Sequence, residues 1–241
     1  PVEAQHKGRN AGLGHHLFQN LPHRHLAVQN WRVGADDLDV HISHSHEIPD
    51  TAVFGLLHGP GPLLGQLTAA LGSLTALGAA AGDGKAGILE YTEAEQYTKV
   101  IQEAATKCDY LIVYDHEGKG DANGVESYQK EHAAAFLQAG ADIVIGGHSD
   151  RLQGIEYIDG KPVVYSIGSV LTDGTSRYSA VLKLNITSEG LKEMSLVPGI
   201  QTEDMTEYLD STETQKKMYD AVAALCPNAS IDENGVVTEK K

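Results

Sequence analysis

The run AGADIVIGGHSDRLQGIEYIDGKPVVYSIG, residues 139–168, restricts the possible folds of this chain more than any other segment. Asp142-Ile143-Val144-Ile145 is short, apolar and mostly β-branched, and it stops at Gly146-Gly147. That is the pattern of a strand covered on both faces. The two glycines let the backbone turn sharply, so His148 and Asp150 stand at the strand's C-terminal end. An imidazole and a carboxylate two residues apart on such a loop can reach one ion. A hairpin is expected next, pairing 154–158 with 162–167 and turning at Asp159-Gly160.

Helix and strand alternate upstream of this run. Residues 92–107 are expected to be helical, because Thr92 and Glu95 have capping-box spacing and Tyr97, Val100, Ile101 and Ala104 share one face. Residues 109–114 read as a buried strand, and 127–138 as a helix with Ser127 as its N-cap and Gly140 at its end. A strand–helix–strand unit of this kind makes a right-handed crossover between parallel neighbours. Antiparallel strands are expected at 178–187 and 191–198, joined at Ser188-Glu189-Gly190, followed by a helix at 211–225. The uncharged stretch 60–82 is too weakly apolar for a membrane span and reads as a core helix. The expected assembly is an α/β sandwich of two mixed β-sheets flanked by helices.

A chain of 241 residues can bury a full core as one domain, or as one domain with an appendage. Its net charge of −15 is uneven: residues 1–84 hold seven acids and four bases, the remainder 26 acids and 14 bases. Such a field argues against nucleic acid or an anionic membrane as a partner. It would also repel a polyanionic substrate unless a metal or a local basic pocket intervened. Cys108 and Cys226 each close a helix, and a buried thiol is the expectation for both, with a disulfide between them left open. Residues 1–14 are polar and glycine-rich, unlike a signal peptide.

The candidate chemistry sits at strand ends. His116 follows one expected strand as His148 follows the next, and in a parallel pair both strands end at the same sheet edge. His116, His148 and Asp150 can therefore converge; the other reading of Asp150 is a loop cap or a partner for Arg151. Nine of the twelve histidines lie before residue 59. In Val40-His41-Ile42-Ser43-His44-Ser45-His46-Glu47, alternation puts His44 and His46 on one strand face, a spacing suited to a shared metal. Three readings of this histidine-rich part are open: diverged metal ligands, a separate metal-collecting segment, or a solvated stretch with no role. No Gly-x-Ser-x-Gly elbow, P-loop or dinucleotide motif occurs.

The pattern AGADIVIGGHSDRLQGIE followed by YSIGSV resembles the CapA (poly-γ-glutamate capsule synthesis) family, related to the calcineurin-like metallophosphoesterases. The resemblance takes in the strand before His116-Glu117-Gly118, the helix at 211–225 and the tail Ile231-Asp232-Glu233-Asn234-Gly235. It covers residues 85–241 of a single domain 1–241, with 203–241 as the C-terminal helix and tail and 1–84 as an atypical, histidine-rich part. Asp150 stands where the family has a second histidine, Glu117 where it has tryptophan, and Ser169-Val170 where it has Asn-Phe. Gly120 stands at a usually acidic position.

The resemblance implies a calcineurin-like sandwich and a divalent metal (Mn, Zn or Mg). The implied ligands are His116, His148 and Asp150, with Glu47, His46 and His58 as the stand-ins from the N-terminal part. His116 or His148, when not ligated, would act as the catalytic acid. The activity implied is hydrolysis of a phosphoester or related acyl group, in capsule or exopolymer biogenesis; the rival expectation is a non-catalytic assembly protein that keeps the fold. Partners would be an anionic polymer or phosphoester and membrane-associated capsule-synthesis machinery. The expected location is extracytoplasmic, at the cell surface, with the N-terminal anchor absent from this chain. Oligomeric state is not implied.

Overall fold

The apolar strand around Ile112 is buried on both faces, and each face belongs to a different core. The computed structural model describes residues 94–169, 176–202 and 205–241, together with strands at 32–33, 38–42, 55–58 and 68–75. In chain order the elements are β1 (Arg32–Val33), β2 (Leu38–Ile42), β3 (Gly55–His58), β4 (Thr68–Thr75), α1 (Ala94–Ala105), β5 (Tyr110–His116), α2 (Ser127–Ala139) and β6 (Ile143–Gly146). The hairpin β7 (Ile155–Ile158) and β8 (Lys161–Val164) follows, then β9 (Arg177–Thr187), β10 (Gly190–Gln201) and β11 (Thr206–Tyr208). The chain continues through α3 (Thr212–Ala223), β12 (Ala229–Ile231) and β13 (Val237–Glu239).

These strands make a six-stranded sheet in the order β3-β4-β5-β6-β8-β7 and a five-stranded sheet in the order β1-β2-β9-β10-β11. The first is mixed: β4, β5, β6 and β8 run parallel, while β3 and β7 are antiparallel edges. The second is antiparallel throughout. Tyr110, Ile112, Tyr114, Ile143 and Ile145 pack with Leu182, Leu184, Ile186, Met194 and Leu196, so the two sheets close on one core. Leu111, Val113 and Val144 point the other way, onto Tyr97 and Ile101 of α1 and Phe136 of α2. Strand alternation alone produces this division. The architecture is the mixed α/β sandwich expected from the sequence.

Most local expectations hold, and two change. The hairpin turns at Asp159 (φ 51°) and Gly160 (φ 77°), two left-handed residues, the requirement of a type I′ turn. Gly140 ends α2 at φ 125°. The N-cap of α2, however, is Glu126 rather than Ser127: its backbone N–H donates to Gln129 Oε1 at 3.0 Å. The second correction is larger. Residues 68–75, inside the stretch read as a core helix, form strand β4, parallel to β5 from Ala69↔Tyr110 to Thr75↔His116. An uncharged run of small residues interrupted by Gly72 is a poor helix, and it suits a strand in the middle of a sheet. Among the described residues, no helix is long and apolar enough to cross a membrane. Cys226 is buried and Cys108 partly so, and no disulfide joins them.

Candidate functional site

β5 and β6 run parallel in the register Asp115↔Gly146, so their C-terminal ends share one edge. The Gly147 N–H donates to Asp115 O at 2.8 Å and carries the ladder one step further. His148 then takes φ 76° and Asp150 φ 58°, with Ser149 Oγ donating to Arg151 O at 2.7 Å between them. This left-handed loop turns the His148 ring back onto the end of β5. His148 Nδ1 lies 3.1 Å from His116 Nε2, and the ring centroids are 4.9 Å apart at 65°. The two strand-end histidines meet, a convergence their positions at parallel strand ends allowed.

The loop after β5 is fastened to the His148 loop by side-chain amides. Gln153, fully buried, donates to Gly124 O at 2.6 Å and accepts from Gln129 Nε2 at 3.1 Å. Asn123 Nδ2 donates to Leu152 O at 2.8 Å, and the Asp121 N–H to Ser149 O at 2.7 Å. Asp121 also takes Arg151 Nε at 2.8 Å and Arg177 Nη1 at 3.2 Å. The hydrogen bond from Arg151 holds the Asp121 carboxyl below the usual carboxylate range. Arg151 is therefore engaged by Asp121. The Asp150 charge bears instead on the buried Tyr114 hydroxyl, which burial, then Asp115, then Asp150 push upward.

Asp115 and Glu117 escaped the sequence reading. Both are 3% exposed, and alternation turns them to the helical side of the sheet, away from His116. Glu117 Oε2 pairs with His132 Nδ1 of α2 at 2.8 Å. Asp115 Oδ1 and Glu117 Oε1 are buried with no hydrogen-bond partner among the described residues. Burial, then the neighbouring Glu117 charge, raise the Asp115 carboxyl well above its ordinary range. The available signal was a pair of carboxylates flanking His116 in an otherwise apolar run.

The remaining sequence-derived ligands are placed as follows. His46 and Glu47 lie outside the described residues. β2 pairs antiparallel with β9, with Ile42 opposite Leu182, so β2 runs toward the end of β9 that begins with Arg177. His58 is registered opposite Thr68, whereas Thr75 is opposite His116. Seven residues of strand, about 23 Å at 3.3 Å each, separate those levels. The sheet does not bring His58 to the histidine pair.

A metal fits this geometry in part. Two imidazole nitrogens on one tetrahedral zinc ion lie about 3.3 Å apart, close to the 3.1 Å between His116 and His148. Among the described residues, no group of three His, Cys, Asp or Glu side chains is arranged to hold an ion. The pair thus supplies two donors, and further donors would have to come from outside the described residues.

Residues 59–174, which contain His116, His148 and the loops that follow them, match the family described as bacterial capsule synthesis protein PGA_cap. Through this segment the chain is similar to the PGA_cap family. It is 30% identical over 124 residues to the PGA biosynthesis protein CapA of Bacillus subtilis (strain 168), an alignment covering 50% of this chain and 32% of that protein. It is 28% identical over 107 residues to the capsule biosynthesis protein CapA of Bacillus anthracis, covering 43% of this chain and 26% of the relative. The chain thus spans a third or less of the length of these curated relatives. The matched segment includes β4 to β8, so the His116–His148 pair lies wholly inside it.

Proposed function

We propose that this chain acts in the biogenesis of an anionic capsule polymer of the poly-γ-glutamate type, as a divalent-metal-dependent hydrolase of phosphoester or related acyl groups centred on His116 and His148. The observation that carries the reading is the 3.1 Å contact between His148 Nδ1 and His116 Nε2 at the ends of adjacent parallel strands. Without an ion, one nitrogen in that contact donates and the other accepts; an ion held by the same two nitrogens would displace the shared proton, and only a histidine left unligated could deliver a proton to a leaving-group oxygen. His116 and His148 would hold the ion, with His46 and Glu47 as further donors; when bound, it would activate water and offset the charge of substrate oxygens. The tethered loops 117–124 and 148–153 would hold both rings in place during the reaction. The reading also places the protein outside the cytoplasmic membrane, working with capsule-synthesis machinery.

A second reading is a capsule-assembly protein that keeps the fold without turnover. It is favoured by the lack of a third donor among the described residues. Elemental analysis of untagged protein, with and without His148→Ala, separates the two. Hydrolysis predicts one or two equivalents of Mn or Zn, lost in His148→Ala, and phosphodiesterase activity abolished by chelation. Absence of bound metal, with none taken up on titration, would sink the hydrolase and leave the assembly protein.

A further inference from the structure

Tyr110 opens β5 at the end of the strand opposite His116, and its hydroxyl is buried with no hydrogen-bond partner among the described residues. An unpaired buried hydroxyl costs free energy, so it marks a place where a partner is expected. Burial first, then the Asp142 charge, then Tyr157, push the phenol upward, so it stays a donor at every working pH. Tyr110, Asp142 and Tyr157 all line one cavity of about 470 Å³. That volume falls in the range of small-molecule sites. The length of β5, about 20 Å, separates the cavity from the histidine pair.

A bulge in β10 shapes this cavity. β10 pairs with β9 as Leu191↔Ile186 and next as Glu193↔Asn185, so Lys192 is an extra residue. A regular strand sends alternate side chains to opposite faces, yet Leu191, Lys192, Glu193 and Met194 all line the same space. On the facing side the β7–β8 hairpin brings in Lys161, whose Nζ donates to Ala141 O at 2.6 Å and stands 3.6 Å from Asp142 Oδ1. Asp142 Oδ2 accepts the Leu111 N–H at 2.7 Å. The backbone thus holds a carboxylate and an ammonium group side by side. Tyr110, Met194 and Val237 are buried and form the floor, while Glu193, Thr238 and Glu239 are exposed and form the rim.

The lining discriminates by charge. Asp142, Glu193 and Glu239 oppose an anion, and Lys161 and Lys192 oppose a cation. The Tyr110 hydroxyl requires an acceptor, Asp142 Oδ1 can take a donor, and the floor requires C–H surface. We propose that this cavity binds a neutral carbohydrate, with one sugar hydroxyl accepting from Tyr110, another donating to Asp142, and the C–H face of the ring on Met194 and Val237. Sugar hydroxyls both donate and accept, and a pyranose ring joins polar edges to apolar faces. The site requires neither a metal nor the histidine pair, so it stands whether or not the hydrolase reading does.

The test follows the amide resonances of the full chain during titration with maltose and with N,N′-diacetylchitobiose, and separately with glutarate and putrescine as charged comparisons. Saturable shifts with at least one disaccharide are expected, centred on Tyr110, Asp142 and Met194, with no saturation by either charged compound. Tyr110→Phe removes only the hydroxyl; it should melt no lower than the parent and bind that sugar about tenfold more weakly. Thr238→Trp, at the exposed rim, should block the mouth and abolish binding in a folded protein. Failure of both disaccharides to bind, parental affinity in either variant, or tighter binding of glutarate or putrescine would each overturn the assignment. A clearly lower melting temperature in Tyr110→Phe would overturn it too, because the hydroxyl would then have its partner inside the protein.

Discussion

His116 and Glu117 are neighbours in the chain, yet they face opposite sides of the six-stranded sheet and meet different kinds of histidine. His116 meets His148 at 3.1 Å, between the two sheets. Glu117, its side chain 1% exposed, meets His132 at 2.8 Å under the helices. The second contact is a carboxylate–imidazole pair in which the acceptor is fixed and the ring nitrogen must carry a proton. The first has two rings of equal standing, so the proton can reside on either one and a lone pair is retained. Such a pair can bind an ion or pass a proton; a carboxylate-locked imidazole mainly holds two elements together. One strand end thus provides reactive capacity on one face and anchorage on the other, and the difference comes entirely from the partner.

Gly146→Ala should break the comparison most severely, because Gly146 is registered opposite Asp115, at the strand ends that carry both pairs. A Cβ there would stand 2.1 Å from Tyr165 O and 2.9 Å from Tyr165 C. Both are backbone atoms of the chain leaving β8, so no side chain can swing aside. A loss of about 3 kcal/mol or more is expected, read as a lower urea midpoint, with the histidine pair and the Glu117–His132 pair lost together. A stable Gly146→Ala protein that had lost only its metal or its turnover would show that the two faces are separable at this residue.

The next pair of substitutions sharpens the same contrast. Glu117→Ala removes a buried carboxylate, leaves a cavity and breaks the 2.8 Å contact with His132; about 2 kcal/mol of stability should go. His148→Ala removes a partly exposed ring at φ 76° and should cost less than about 1 kcal/mol. Its effect should fall on metal content and hydrolysis. Chemical denaturation and elemental analysis of both variants decide the matter: the reverse pattern, with His148 the stabilising residue and Glu117 the metal-dependent one, would exchange the roles of the two faces.

How far the sequence revealed this arrangement depends on which signal each residue carried. The strand 143–146, the hairpin and the convergence of His116 with His148 were legible, because β-branched runs, Asp-Gly turns and parallel strand ends each have a local signature. Strand β4 was not: its parallel pairing with β5 is a long-range property, and Thr-Ala-Ala-Leu-Gly-Ser-Leu-Thr has no strong period of either kind. The Asp121–Arg151–Arg177 cluster was hidden for the same reason, since its members lie 30 and 56 positions apart. The left-handed turn at Asp150 was also hidden, because a φ of 58° at a non-glycine residue is set by the loop as a whole and has no local signature in the sequence.

The smallest expected effect concerns Asp115, on the same face as Glu117. Its folded carboxyl is raised well above its unfolded value by burial and by the Glu117 charge, so the fold favours the protonated form. Any stability tied to that proton is intact below the unfolded carboxylate range. It declines as pH rises from there through the raised folded value, the reverse of a salt-bridged aspartate. Asp115→Asn supplies a permanently neutral group with a donor for the otherwise unpartnered Glu117 Oε1. The variant should therefore gain about 1 kcal/mol over the parent at pH 8, with a smaller gain at pH 5, where the parent retains more of its proton. Thermal melts of both proteins at the two pH values measure it. An Asn variant equally destabilised at both would mean that the buried Asp115 carboxyl donates a hydrogen bond the amide cannot replace, and that the helical face depends on the acid itself as well as on the Glu117–His132 pair.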